Sequence, residues 1–193
     1  MILALDLSKR STGFALWEEG SQSARYGTWV LGSELTPNGA TYCKLHQQMS
    51  DLYRLCKFEH IFYEEPINPA KVQGHTNIET LRVLAGLAAH TDSFGEAMGM
   101  RTINPVNMSS WRATFIGKQK RGTKRTTLKE LSMERCQQLG WKPKNDDEAD
   151  ALGLLDYACT YRGITPPWRA NEVLRPPLGM ASQTPFNDMK GGE

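Results

Sequence analysis

The sequence predicts an α/β fold: a five-stranded mixed sheet flanked by helices, with strands one to three antiparallel and strands four and five parallel to the first. Three observations predict it. The unbroken apolar run Met1-Ile2-Leu3-Ala4-Leu5 reads as a central strand buried on both faces. Two more strand-like segments follow with short links, as in an antiparallel meander. A four-and-three helical repeat then separates the third strand from a fourth, a crossover that makes the fourth strand parallel to the first.

The first strand stops at Asp6, and the turn from Ser8 to Gly13 leads into the apolar segment Phe14 to Trp17. An ionised carboxylate at the end of a buried strand is costly unless a cation or a hydrogen-bond donor meets it. Asp6 could equally start the turn by accepting from backbone N–H groups. Residues 25–31 have the composition of the third strand, and Gly32, Pro37, Asn38 and Gly39 supply turn chemistry. Leu45, Met49, Leu52 and Cys56 then mark one face of a helix beginning near Ala40.

The fourth strand, residues 58–63, ends in Glu64-Glu65-Pro66. Pro66 stops it, and side-chain alternation sends Glu64 and Glu65 to opposite faces, so only one can share a site with Asp6. A loop from Ile67 to Asn77 precedes a helix whose expected stripe is Ile78, Leu81, Leu84 or Ala85, and Ala88. Residues 101–103 form a short fifth strand, 104–107 a turn, and Asn107 or Ser109 caps a short helix carrying Trp111 and Phe115.

Lys118, Lys120, Arg121, Lys124 and Arg125 then fall within nine residues that contain no acid. Such a cluster is either a solvated face or a phosphate-contacting loop. A helix with Leu128, Leu131 and Leu139 follows and ends at Gly140, a C-terminal cap glycine. The last helix opens at Asn145, which forms a capping box with Glu148. Asp147 in the first turn and Asp150 three residues later share a face, whereas Asp146 and Glu148 read as helix-dipole decoration. Ala151, Leu154, Leu155 and Ala158 form the buried stripe beside Asp150. From Gly163 the composition turns Pro/Gly-rich, giving a domain over 1–162 and a C-terminal tail over 163–193.

A chain of 193 residues has room for one sizeable core. With 23 Lys and Arg against 21 Asp and Glu, no global polyelectrolyte argument applies, and charge must be read locally. Cys43, Cys56, Cys136 and Cys159 are widely spaced, without ligand motifs, and read as small hydrophobes in a reducing compartment. No run approaches membrane length and no signal-peptide pattern opens the chain. These features predict a cytoplasmic protein without a membrane partner.

Three local patterns resemble one family. They are Asp6 with Arg10-Ser11-Thr12-Gly13-Phe14, Phe62-Tyr63-Glu64-Glu65 at a strand end, and Asp147-Glu148-Ala149-Asp150-Ala151-Leu152 at a helix start. In this order and at these intervals, over roughly residues 1–160, the chain resembles the RuvC-type Holliday junction resolvases, including phage-borne relatives, within the ribonuclease H-like superfamily. Ser8 stands where the family usually has glycine, and Ile67 where some members carry an aromatic wedge.

The resemblance implies a metal-dependent endonuclease of branched or four-way DNA in a bacterial or phage-infected cell. It implies a catalytic and metal-binding tetrad of Asp6, Glu64, Asp147 and Asp150. Two Mg²⁺ ions, replaceable by Mn²⁺, would bind there, and hard cations do prefer carboxylate oxygens over the dispersed His and Cys of this chain. Arg10, Lys71, Lys118, Lys120, Arg121, Lys124 and Arg125 are the expected nucleic-acid contacts. Resolving a four-way junction takes two symmetric cuts, hence a homodimer. Rival readings are cleavage of RNA–DNA hybrids with the same acids, and a non-catalytic binder of branched nucleic acid. The actin and sugar-kinase ATPases share the strand order but need a second domain for which the chain has no room.

Overall fold

A computed structural model describes residues 1–67, 77–170 and 178. Its sheet runs in the order β3-β2-β1-β4-β5, with β1 (Ile2–Asp6), β2 (Thr12–Trp17), β3 (Arg25–Trp29), β4 (His60–Glu64) and β5 (Thr102–Val106). β2 is antiparallel to β1 and β3, while β4 is parallel to β1 and to β5. The expected meander and crossover are therefore both present.

Alternation along the strands divides the core into two layers. Leu3, Leu5, Ile61 and Tyr63 face the helices α1 (Asn38–Cys56) and α2 (Ile78–Ala97). Ile2, Ala4 and Phe62 face the other side, where α5 (Asp146–Tyr161) packs with α3 (Met108–Phe115) and α4 (Arg125–Gln138). β1 is covered on both faces, which is why its sequence is apolar without alternation. Asp6 and Glu64 continue the Ile2–Ala4 and Phe62 series, so the strand phase turns both toward α5.

Several expected details shift. The buried stripe of α2 includes the expected Ala88, with Leu84 partly buried against the core, but also Val83, Leu87, Thr91 and Phe94, and Ile78 is exposed. The fifth strand runs on through Asn104 and Pro105 instead of turning. Pro105 is tolerated because β5 is the sheet edge, where no further strand needs its missing N–H. Arg125 is the first residue of α4, so the basic loop proper ends at Lys124. Cys56, Cys136 and Cys159 are buried among apolar groups, but Cys43 is exposed. Lys71 lies outside the described residues.

Beyond α5 the chain stays on the core at least as far as a short 3₁₀ turn, Pro167–Arg169. Trp168 is buried, and its indole donates to Asp156 Oδ1 at 2.9 Å. Arg169 Nε donates to the same oxygen at 2.7 Å, and its guanidinium pairs with Oδ2. Asp156, fully buried on α5, is thus matched by three donor groups from two residues, as a buried charge must be. Among the described residues no helix is long and apolar enough to cross a membrane.

Candidate active site

The C-terminal ends of β1 and β4 meet the first turns of α5 at one edge of the sheet. Two features seat α5 there. Asn145 caps it, accepting from Glu148 N at 2.9 Å, while Glu148 reaches back to accept from Lys144 N at 2.7 Å. This is the expected capping box, closed one residue earlier than usual. The second feature is Gly13, the ladder partner of Asp6, whose missing side chain leaves room for the Asp147 backbone.

The four expected acids act on one another electrostatically. Asp6 is half-buried at the strand end, and its pKa is raised well above the ordinary 3.8. Burial contributes most, followed by the charges of Asp150, Glu64 and Asp147. Burial also raises Glu64, partly offset by a Trp111 hydrogen bond and by the charges of Arg112 and Arg125. Asp150 is pushed up to about 6, again first by burial, with Glu64 adding to the shift and Arg112 opposing it. On the α1 and α2 side of the sheet, burial and the bond to Asp92 raise the Tyr63 hydroxyl, and the charge of Glu65 adds a smaller contribution. Asp146 is drawn elsewhere: despite partial burial, its bond to Lys129 holds its pKa below the ordinary value. The neighbouring acid that bears on Asp6 is Asp147.

Two residues of α3 meet these acids, and sequence reasoning gave neither a role in the site. Trp111 Nε1 donates to Glu64 Oε2 at 2.9 Å, and Arg112 Nη2 donates to Asp150 Oδ2 at 3.1 Å. The Arg112 guanidinium also lies over the Trp111 ring, 4.9 Å from its centroid. Trp111 is held by a close approach of α3 to α5, where Gly153 leaves no room for a Cβ beside its ring. The sequence signal was the pair Trp-Arg one turn into a capped helix, of which only Trp111 was singled out, as a residue of that helix.

Among the described residues, three buried side-chain polar atoms lack a hydrogen-bond partner: Asp150 Oδ1, Arg112 Nε and Ser132 Oγ. The Ser132 hydroxyl is near enough to favour the charged form of Asp150, but short of a full hydrogen bond. All three orphans thus belong to the surroundings of one carboxylate. As placed, no three Asp, Glu, His or Cys side chains among the described residues are gathered closely enough to hold an ion. Glu64 and Asp150 each commit an oxygen to Trp111 or Arg112 instead.

The donor set still fits divalent cations. It is all carboxylate oxygen, it includes a buried and unpartnered Asp150 Oδ1, and the charge around Asp6 is in excess of its cations.

The remaining described candidates are exposed. Arg10, in the β1–β2 loop, pairs with Glu34, and both side chains are largely exposed. Lys118, Lys120, Arg121, Lys124 and Arg125 are all exposed. Arg125 lowers the pKa of both Glu64 and Asp146, which ties the end of the basic segment to the acids.

No protein-family model matches this chain, and no curated protein matches it either. Solved structures do. RuvC of Thermus thermophilus in complex with a Holliday junction substrate is 14% identical with a TM-score of 0.62, over 83% of this chain and 93% of that one. Another Thermus thermophilus RuvC structure matches at 14% identity and a TM-score of 0.56, over 92% and 99% of the two chains. The yeast mitochondrial Holliday junction resolvase Ydc2 also gives 14% and 0.56, over 84% and 78%. Likeness at this level of identity speaks to architecture, and the chain has the ribonuclease H-like fold of the RuvC-type resolvases.

Proposed function

We propose that this protein is a metal-dependent, structure-selective endonuclease that hydrolyses phosphodiester bonds in branched DNA, with four-way junctions as its principal substrate. The observation that carries the reading is Asp6: a half-buried carboxylate whose pKa is raised by desolvation at the strand end and by the charges of Asp150, Glu64 and Asp147. Three acids from two other elements bearing electrostatically on Asp6 are expensive unless something cationic is meant to join them. The fold shared with RuvC, one of whose structures holds a Holliday junction substrate, supplies the substrate class.

In this reading Asp6, Glu64, Asp147 and Asp150 hold two Mg²⁺ ions, with Mn²⁺ able to replace them. Bound ions of this kind supply an activated water and stabilisation of the leaving oxygen. The chain's own residues supply position. β1 and β4 fix Asp6 and Glu64, the capped first turns of α5 fix Asp147 and Asp150, and Trp111 orients Glu64.

Selectivity for branched DNA is supported by what surrounds the acids. Val30 and Leu35 follow β3, Ile67 follows β4 and Met108 follows β5, all leaving the sheet at this edge, and all four are exposed. Apolar side chains suit bases unstacked at a branch, and the cations from Lys118 to Arg125 suit the flanking phosphates. Two symmetric cuts call for a C2 homodimer.

The test is incubation with Mg²⁺ or Mn²⁺ and labelled four-way, three-way, flap and RNA–DNA hybrid substrates of matched sequence. Paired, symmetric nicks in the four-way junction are expected. Preferential cleavage of the hybrid would reassign the substrate to ribonuclease H chemistry, and binding without cleavage under either metal would make the protein a non-catalytic binder.

A further inference from the structure

The geometry points to Arg112 as a built-in counter-ion of the acid cluster: it holds Asp150 in the ion-free protein and opposes the divalent cation that takes its place. The inference rests on the nuclease reading for the identity of that cation, and it concerns the ion-free state of the same site.

The pairing is buried and incomplete. The side chains of Arg112 and Asp150 are only 16% and 10% exposed, so solvent does little to screen their charges. A guanidinium beside a carboxylate ordinarily makes two parallel hydrogen bonds. Here a single bond joins Nη2 to Oδ2, while Asp150 Oδ1 and Arg112 Nε are both buried without a partner. A pair built for stability alone would close that fork, because each orphan costs its full desolvation. An oxygen left open on the carboxylate is what an incoming cation needs.

The reach of Arg112 extends past its own partner. Its position is fixed by stacking on Trp111, whose indole is bonded to Glu64. The proximity that pairs Arg112 with Asp150 has an opposite consequence for ion binding, since a fixed positive charge beside a cation site repels the cation. Arg112 is therefore a positioning residue that favours the assembled, ion-free site and lowers its affinity for the ion.

The experiment compares wild type, Arg112→Gln, Arg112→Lys and Asp150→Asn by calorimetric titration with Mn²⁺ and by melting temperature in EDTA and in saturating Mn²⁺. For Arg112→Gln we expect a lower melting temperature in EDTA, a larger rise on adding Mn²⁺, and Mn²⁺ binding about tenfold tighter than wild type. Arg112→Lys keeps the charge and should bind Mn²⁺ within a factor of about two of wild type. An Arg112→Gln chain that folds only with Mn²⁺ present supports the inference; one that fails to fold even in saturating Mn²⁺ overturns it. Unchanged or weaker Mn²⁺ binding by Arg112→Gln also overturns it. If wild type meanwhile binds Mn²⁺ in a manner abolished by Asp150→Asn, the nuclease reading survives that failure. Absence of Mn²⁺ binding by every form would overturn both.

Discussion

The backbone carbonyl oxygen of Asp147 lies 2.0 Å from the point where a Cβ on Gly13 would stand. Gly13 is also the ladder partner of Asp6, so one missing side chain lets the first turn of α5 rest directly against the end of β1. Gly13→Ala must push α5 off the sheet. Its expected cost is about 3 kcal/mol, at the upper end for overpacking because the obstacle is backbone, with loss of any cleavage activity. Gly39, in the first turn of α1, has open space around its Cβ position, and Gly39→Ala should be neutral or stabilising by up to about 1 kcal/mol. Urea unfolding of the two variants checks the contrast, and equal effects would remove the role assigned to Gly13.

Asp6 ties stability to pH in a definite direction. Its carboxyl titrates higher in the folded chain than the ordinary 3.8. In that window the folded state holds the extra proton, so the stability Asp6 contributes is present at low pH and lost as pH rises through the raised value. Without metal, Asp6→Asn should therefore match wild type near pH 4 and be the more stable of the two at pH 7. Cleavage should vanish, while junction binding persists or tightens because a charge that repels phosphate is gone. Denaturant midpoints in EDTA across this pH range, with a gel-shift assay at pH 7, read both effects. A variant less stable than wild type at pH 7 would mean that Asp6 has a structural partner.

Much of this was legible in the sequence because it follows from period and position. The apolar run to Leu5, the helix between β3 and β4, and the Glu64–Glu65 alternation determine which face each strand-end acid takes. The pairing of Asn145 with Glu148 and the cap at Gly140 are local chemistry, set by residues a few positions apart. What stayed hidden depends on which helix packs beside which. Trp111 and Arg112 were given no part in the site because nothing local shows that α3 lies against α5. The α2 stripe was legible only in part: Leu84 and Ala88 pack as expected, whereas Ile78, at the start of the helix, is exposed. Asn104 and Pro105 have turn composition, and only an edge position lets them continue a strand.

The docking of Trp168 and Arg169 on Asp156 bears on where the stable unit ends. Asp156 is wholly buried, and both of these residues donate to it. Ending the chain at residue 162 removes both donors and strands the carboxylate, an expected loss of about 3–5 kcal/mol. Truncation with Asp156→Leu in place should recover much of that loss, because no buried charge is then left unmatched. Thermal denaturation of both shortened chains tests this. A residue 1–162 fragment as stable as the full chain would make the docking ornamental.

The basic segment yields the prediction that best separates a DNA-contacting surface from a merely soluble one. Lys118, Lys120, Arg121, Lys124 and Arg125 are all exposed, and two glycines in the left-handed region, Gly117 at φ 80° and Gly122 at φ 86°, shape the connection that carries them. Solvated cations hold little of the core, so replacing all five with Gln should move the melting temperature by only a degree or two. Binding should weaken for every DNA shape, because phosphate recognition carries no sequence information. The fall of log affinity with log salt should become shallower by roughly 0.9 for each B-DNA phosphate that the variant no longer neutralises. Arg125 adds a distinguishing feature, since its charge also reaches Glu64. Arg125→Gln alone should raise the Glu64 pKa further, moving the acid limb of the cleavage pH profile upward, whereas Lys120→Gln alone should leave that limb in place. Titration of cleavage rate against pH for the two single variants, alongside salt-dependent binding of the five-fold variant, reads both roles. A wild-type salt slope in the five-fold variant would return the segment to a solvated face, and weakening confined to four-way junctions would show that it reads branch geometry instead of phosphate density.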